Sequence, residues 1–244
     1  KKAVTLDMRQ AEGQSILREL VTNADFLLEN FRPGTLEKWG CGYEELAKVN
    51  PRLIMIRVSG FGQTGPYAKQ AGFGAIGEAM GGLRYVCGDP STPPSRMGIS
   101  IGDSLAATFA SVGALSALHY REKTGRGQVV DSAIYESVLN MMESLVTEFD
   151  KTGYIRERTG AILPNVAPSN IYPARDGQLV LIAANQDTVF GRLAEAMGQP
   201  GLAQDPKYAT HSARGAHQAE LDELIGRWTA SLTRDEVLAA MEKS

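Results

Sequence analysis

The sequence predicts an α/β protein, with a large parallel-sheet domain in residues 1–150, a connecting segment in 151–168 and a smaller α+β domain in 169–244. Three observations carry that prediction. Apolar runs of strand length alternate with helical patterns through the first 150 residues, as in consecutive βαβ units. Periodicity then stops in "KTGYIRERTGAILPNVAP" (151–168), which mixes charge with Gly and Pro. The remainder opens on a hairpin signal and closes on three helical patterns. At 244 residues and 43% apolar content the chain can bury cores for both.

Taken in order, "AVTLDM" (3–8) reads as a strand already under way at the first residue. "RQAEGQSILRELVTNA" (9–24) sets Ile16, Leu17, Leu20 and Val21 at helical spacing. "DFLLENF" (25–31) is a strand halted by Pro33 and Gly34, and "GYEELAKVN" (42–50) is a helix ended by Asn50-Pro51. "RLIMIRVSGFG" (52–62) is a buried strand, and "SGFGQTGPYAKQAGFG" (59–74) and "GDPSTPPSRMG" (88–98) are loops by Gly and Pro content. A long helix spans Ile101 to Tyr120, rich in Ala, Ser and Gly that permit close packing. Val129 and Val130 begin a strand that feeds "YESVLNMMESLVTEF" (135–149), a single helix with Val138, Leu139, Met142 and Leu145 on one face. "IYPARDGQLVLIAA" (171–184) is a hairpin turning at Asp176-Gly177. "VFGRLAEAMG" (189–198), "AELDELIGRWTASL" (219–232) and "RDEVLAAM" (234–241) are helices, the last opened by the Thr233/Glu236 capping-box pair.

Composition excludes several function classes. A formal charge of −3 carries no surplus of Lys and Arg, so no nucleic-acid partner is expected. Cys41 and Cys87 stand far apart, and His119, His211 and His217 show no ligand spacing, so no metal is expected. Two lone thiols fit a reducing compartment, and the expected location is cytoplasmic. No unbroken run approaches the ~18 apolar residues of a membrane span, so no membrane partner is expected.

The stretch "GQVVDSAIYE" (127–136) passes from strand to helix and carries two carboxylates, Asp131 and Glu136, at that switch. Unpaired N–H groups and the dipole favour an acid in a first helical turn by ~0.3 to 1 kcal/mol when exposed. Held ionised, such an acid can serve as a nucleophile, but the same preference places acids there with no chemistry attached. Asp131 fits a turn or cap residue equally well.

Four longer motifs decide the context: "ENFRPGTLEKWG" (29–40), "NPRLIMIRVSGFGQTGPYA" (50–68), "REKTGRGQVVDSAIYESVLN" (121–140) and "LIAANQDTVF" (181–190). In content and order they resemble the family III CoA-transferases, which include formyl-CoA and carnitine CoA-transferases and the α-methylacyl-CoA racemases. The resemblance covers most of the chain. It implies a Rossmann-like large CoA-binding domain, a small α+β domain and an interlocked homodimer whose linkers wrap the partner. It also implies transfer of CoA from an acyl-CoA donor to a carboxylic-acid acceptor, with the CoA thioester as substrate and no permanently bound cofactor. In these transferases a carboxylate, usually Asp, lies eight residues after the Gln of the "GRGQ"-like turn, and counting from Gln128 reaches Glu136. The resemblance thus makes Glu136 the catalytic residue, with Glu in place of Asp and a reach longer by roughly one carbon–carbon bond. The implied route passes through a glutamyl anhydride and a glutamyl-CoA thioester.

The family's Asn-Phe-x-Pro-Gly turn borders CoA, which assigns Asn30, Phe31, Arg32, Gly34 and Lys38 to the cofactor's phosphates and adenine. These residues follow a predicted strand, where nucleotides tend to bind. Gly62 and Gln63, in a backbone-exposing loop, are assigned to the pantetheine arm, and Phe73 to the same site.

The chain also departs from the family pattern. Racemases carry Gly-His-Asp where it reads Gly72-Phe73-Gly74, and Phe cannot hold and release a proton. An acyl-CoA racemase or isomerase therefore ranks below a transferase, and a catalytically silent CoA-binding or assembly protein is the other alternative. Where formyl-CoA transferases carry a run of glycines, "LPNVAPSN" (163–170) offers Asn165, Ser169 and Asn170 to an acid other than oxalate. The family's first βα unit and its final return segment have no counterpart here, so the large domain is expected to be incomplete at its N-terminus and the small one to lack its return.

Overall fold

The computed structural model describes residues 2–243. Its backbone divides into two compact units, one formed by residues up to Cys87 with Pro94–Glu157, the other by Gly88–Pro93 with the residues from Arg158 onward.

In the first unit, residues 3–8 take no regular structure, contrary to the expected strand. They are largely exposed, and no described strand lies beside them to complete a ladder. The chain then forms α1 (Ala11–Val21), β1 (Phe26–Glu29), the one-turn α2 (Thr35–Lys38), α3 (Tyr43–Val49) and β2 (Ile54–Ser59). Val21, Leu36, Cys41, Leu46, Leu53 and Met55 close a core under these elements. Next come α4 (Gly74–Met80), α5 (Leu83–Val86), α6 (Ile101–Thr124), β3 (Val129–Ala133), α7 (Ile134–Asn140) and α8 (Leu145–Thr152). The three strands form a parallel sheet in the order β1-β2-β3, which sets Arg57 beside Glu29 on one side and Asp131 on the other.

The short helices α4 and α5 were hidden by glycines that depress helix propensity. Those glycines serve packing. A Cβ on Gly77 would stand 2.5 Å from Ile134 Cγ2, and one on Gly81 2.6 Å from Val138 Cγ1, so α4 and α7 approach closely only because both are bare. The single helix expected over 135–149 is two, because Glu143 between α7 and α8 has φ +52°, which a right-handed helix cannot contain. Of the face expected to be apolar, Val138 and Met142, both before the break, are buried, whereas Leu139 is exposed and α8 beyond the break buries no residue fully.

Helix α6 has 24 residues and a mean hydropathy of 1.4 over its most apolar window, long and apolar enough to cross a membrane. A search for unbroken apolar runs passes over it because Ser, Thr and Gly interrupt the sequence. Its small side chains, Gly102, Ala106, Ala110, Ala114 and Ala117, are buried where it lies on β2, β3, α4 and α7.

The second unit pairs β4 (Ser169–Pro173) and β5 (Leu179–Ala183) as an antiparallel hairpin whose turn uses Gly177 at φ +78°. Helices α9 (Asp187–Ala196), α10 (His211–Ala216), α11 (Gln218–Ser231) and α12 (Arg234–Glu242) follow, with a 3-10 turn at Pro200–Gln204. Tyr172, Val180 and Ile182 on the hairpin meet Phe190, Leu193, Leu221, Ile225 and Val237 in one core. The Thr233/Glu236 capping box forms in full. Arg214, wholly buried, donates to the carbonyls of Ala167, Tyr208 and Asn185 and to Asp187 Oδ1, with its guanidinium 4.8 Å from the Phe190 ring centre.

Candidate active site

A cleft of about 570 Å³ opens at the carboxyl ends of β1 and β2. Leu28 to Pro33 form one wall, Val58 to Phe61 the floor, and Gln70 to Gly74 the opposite wall, with Asp103 of α6 and Ile134 of α7 closing the back. Parallel sheets bind ligands at this end, because strands finish there and loops supply free N–H groups. Gly60 and Gly72 let two backbones touch inside it: a Cβ on Gly60 would lie 2.6 Å from the Gly72 Cα.

The wall that begins at β1 is held from beneath by charge. Arg57 Nε donates to Glu29 Oε1 at 2.6 Å, while Nη1 and Nη2 grip the two oxygens of Glu37 at 2.7 and 3.2 Å. The second oxygen of Glu29 accepts the Phe31 N–H at 2.7 Å, which fixes how the chain leaves the strand. Glu29 and Arg57 are buried, so the pair persists without solvent competition. Hydrogen bonding from Arg57 holds the Glu37 carboxyl below its ordinary value. Phe31 packs edge-on against Trp39 at 5.4 Å.

Of the residues assigned from the sequence, Asn30, Phe31, Arg32 and Phe73 line the cleft. Gly34, Lys38, Gly62, Gln63 and Glu136 lie outside its lining. Gly34 has φ +85° and turns the chain into α2, which carries Lys38 on its exposed side. Among the described residues neither Arg32 nor Lys38 is engaged in an ion pair, so both charges are available to an anion. Gly62, at φ +83°, lies against the Asp131 carboxylate, and its N–H donates to Ser59 Oγ at 3.0 Å. The Gln63 N–H donates to Asp131 Oδ2 at 2.7 Å, and the Gln63 amide nitrogen is enclosed without a hydrogen-bond partner. Asp131 therefore anchors the 60–66 loop to β3.

Glu136 is the third residue of α7, exposed, and accepts a hydrogen bond from the Tyr135 hydroxyl at 3.2 Å. Two residues earlier Ile134 is already in the cleft wall. Among the described residues no cluster of three or more His, Cys, Asp or Glu side chains is arranged to hold a metal ion.

Sequence reasoning missed Glu29, Arg57, Gln70 and Asp103. Glu29 opens the 29–40 motif, directly before Asn30. Arg57 carried a legible signal too, a charge in the middle of an otherwise apolar strand, which demands a buried partner. Asp103, in the first turn of α6, reaches the cleft because Gly74 leaves room: a Cβ there would be 2.7 Å from Asp103 Oδ2.

The sequence pattern of CoA-transferase family III matches residues 1–244. The chain is 64% identical over 243 residues to the succinyl-CoA–D-citramalate CoA-transferase of Chloroflexus aurantiacus, covering 100% of this chain and 60% of that protein. It is 37% identical to the succinyl-CoA:mesaconate CoA-transferase of Haloarcula hispanica, covering 99% of this chain and 61% of the other. Among solved structures, a CaiB/BaiF family protein from Brucella suis superposes with a TM-score of 0.82 at 36% identity, covering 100% of this chain and 64% of that one. The chain thus spans about three fifths of the length of the curated relatives it matches.

Proposed function

Because the chain belongs to CoA-transferase family III, we propose that the whole protein transfers CoA from an acyl-CoA donor to a free carboxylic acid, with Glu136 as the nucleophile. The relatives named above act, by name, on succinyl-CoA and either citramalate or mesaconate, which supports succinyl-CoA as donor and a small dicarboxylate as acceptor. The observation that carries the reading is an exposed carboxylate two residues beyond the back wall of a cleft that presents Asn30, Phe31 and the unpaired Arg32.

A Glu136 carboxylate oxygen attacks the thioester carbonyl carbon; the C–S bond breaks, CoA leaves as thiolate, and a mixed anhydride remains. The thiolate then attacks the glutamyl carbonyl, expelling the donor's carboxylate and leaving CoA as a thioester on Glu136. The acceptor acid repeats both steps in reverse. Arg32 and Lys38 suit the CoA phosphates as exposed cations flanking the turn. Phe73 in the cleft wall supports transfer over racemisation, since it offers no proton at a substrate α-carbon. A homodimer is part of the same proposal, supported by an apolar groove on the first unit where Met80, Tyr85, Val146, Phe149 and Ile155 are exposed. The two cysteines, Cys41 buried and Cys87 half-buried, are both free thiols, which supports a cytoplasmic setting.

Glu136→Gln in the whole protein keeps shape and removes the nucleophile. CoA binding should stay within a few-fold while exchange is abolished, and intact-protein mass spectrometry should lose the covalent CoA adduct seen with the parent. Residual exchange above about a tenth of the parent contradicts loss of an essential nucleophile. Light scattering of the whole protein tests the dimer, and a monomer at micromolar concentration overturns that part alone.

A further inference from the structure

We propose that the Tyr135 hydroxyl is a catalytic hydrogen-bond donor to the glutamyl carbonyl, an inference that rests on Glu136 being the nucleophile. The hydroxyl donates to one carboxylate oxygen only, Oε1, at 3.2 Å. The hydrogen bond withdraws electron density from Oε1, which leaves Oε2 the more nucleophilic oxygen and the one that attacks the thioester. Oε1 then becomes the carbonyl oxygen of the anhydride. When CoA thiolate adds to that carbon, negative charge develops on Oε1, where the phenol already points. The donor is in place before the charge appears, the arrangement that makes a preorganised hydrogen bond catalytic. No proton needs to transfer: the phenol donates throughout, and the charge returns to the departing carboxylate as the tetrahedral centre collapses.

The placement of Tyr135 is fixed on several sides. Its N–H donates to the Gly60 carbonyl at 3.3 Å, and its ring lies 5.7 Å from that of Phe61, which in turn lies 5.6 Å from Tyr67. Gly77 of α4 and Gly81 at its C-cap bring a second helix against the Tyr135 backbone, where a Cβ would stand 3.3 Å from the nitrogen and 2.9 Å from the oxygen. Gly60 and Phe61 also form the cleft floor, so one residue joins the substrate cleft to the carboxylate. An ordinary phenol is already protonated at neutral pH, and burial first, then the Glu136 charge and hydrogen bond, raise the Tyr135 hydroxyl further above that value.

Tyr135→Phe retains the ring, the backbone bond and the tilted contact with Phe61, and deletes one oxygen. In the whole protein, with succinyl-CoA as donor and citramalate as acceptor probe, kcat should fall roughly 10- to 100-fold, somewhat less than for a fully enclosed oxyanion donor. KM for the donor should stay within about two-fold, because the group acts on charge present only in the transition state. Single-turnover formation of the CoA-thioester enzyme, followed by mass, should slow by the same factor as kcat. A kcat within two-fold of the parent overturns the inference, as does a loss confined to KM. Glu136→Gln, run beside it, separates the two claims: exchange surviving in that variant removes the nucleophile assignment itself, whereas a dead Glu136→Gln with an unimpaired Tyr135→Phe removes only the role of the hydroxyl.

Discussion

Arg57 and Arg214 are both buried arginines, and they differ in what they hold. Arg57 bonds to side chains, the carboxylates of Glu29 and Glu37, which bracket the Asn30–Pro33 wall of the cleft. Arg214 bonds chiefly to backbone, three carbonyls brought in from different turns of the second unit. A guanidinium gripping carboxylates fixes the rotamers beside a loop, whereas one gripping carbonyls replaces secondary structure where the chain has none. The first therefore shapes the cleft and the second serves the fold. Each unit holds one tryptophan, Trp39 in the first and Trp228 in the second, so each can be followed alone in a background where the other is Phe.

The largest effect should come from Arg214→Met. The Ala167 and Tyr208 carbonyls lose the guanidinium donor inside the core, and Asn185 keeps only the His211 ring nitrogen, which costs the second unit about 3–5 kcal/mol. Urea unfolding reported by Trp228 should shift accordingly while the Trp39 transition stays put. A loss under about 1 kcal/mol, the scale of one ordinary hydrogen bond, would mean that the carbonyls find other partners and that the contrast with Arg57 is false.

Arg57→Met should cost the first unit about 3 kcal/mol, because Glu29 is left charged and buried without a counter-ion. Adding Glu29→Gln should recover part of that stability without recovering CoA affinity, since the Glu37 grip on the cleft wall is still missing. Calorimetric CoA titration of the whole protein checks the second half. If stability and affinity return together, Arg57 is only a structural ion pair.

The smallest expected effect is a pH dependence that the two arginines share. Asp187, hydrogen-bonded by Arg214, and Glu37, hydrogen-bonded by Arg57, both have carboxyls held below their ordinary values. A depressed folded pKa contributes stability fully present above the unfolded value, about 4, and lost as pH falls through the folded one. Both carboxylates are substantially solvated, so each contribution is small. Acid titration from about pH 5 to about pH 2 should move the Trp228 signal through Asp187 and the Trp39 signal through Glu37. Asp187→Asn and Glu37→Gln should each flatten their own curve only, and a shift in the other unit's curve contradicts the assignment.

Much of this was legible along the chain. β1, β2, the hairpin and the last two helices follow from local apolar period, Asp176-Gly177 and the Thr233/Glu236 box, all of which act within a few residues. Four of the nine assigned site residues meet in the cleft because Asn30, Phe31 and Arg32 are consecutive in one turn, joined by Phe73. The break at Glu143 was invisible, since an apolar period continues across it and nothing in the residue type demands a left-handed backbone. Helix α4 was hidden because its glycines report on α7, a partner far along the chain.

By itself the sequence determined the class of fold, the order of most elements and the motifs that resemble CoA-transferase family III, because period, turn chemistry and short motifs are local properties of the chain. Tertiary structure decided what the motifs are attached to. Sheet register set Arg57 beside Glu29, 28 residues away in sequence, and helix packing brought Asp103 to the cleft and clamped the Tyr135 backbone against α4. Those contacts depend on which surfaces meet when apolar area is buried, and that is a property of the whole packed unit which no window of sequence contains.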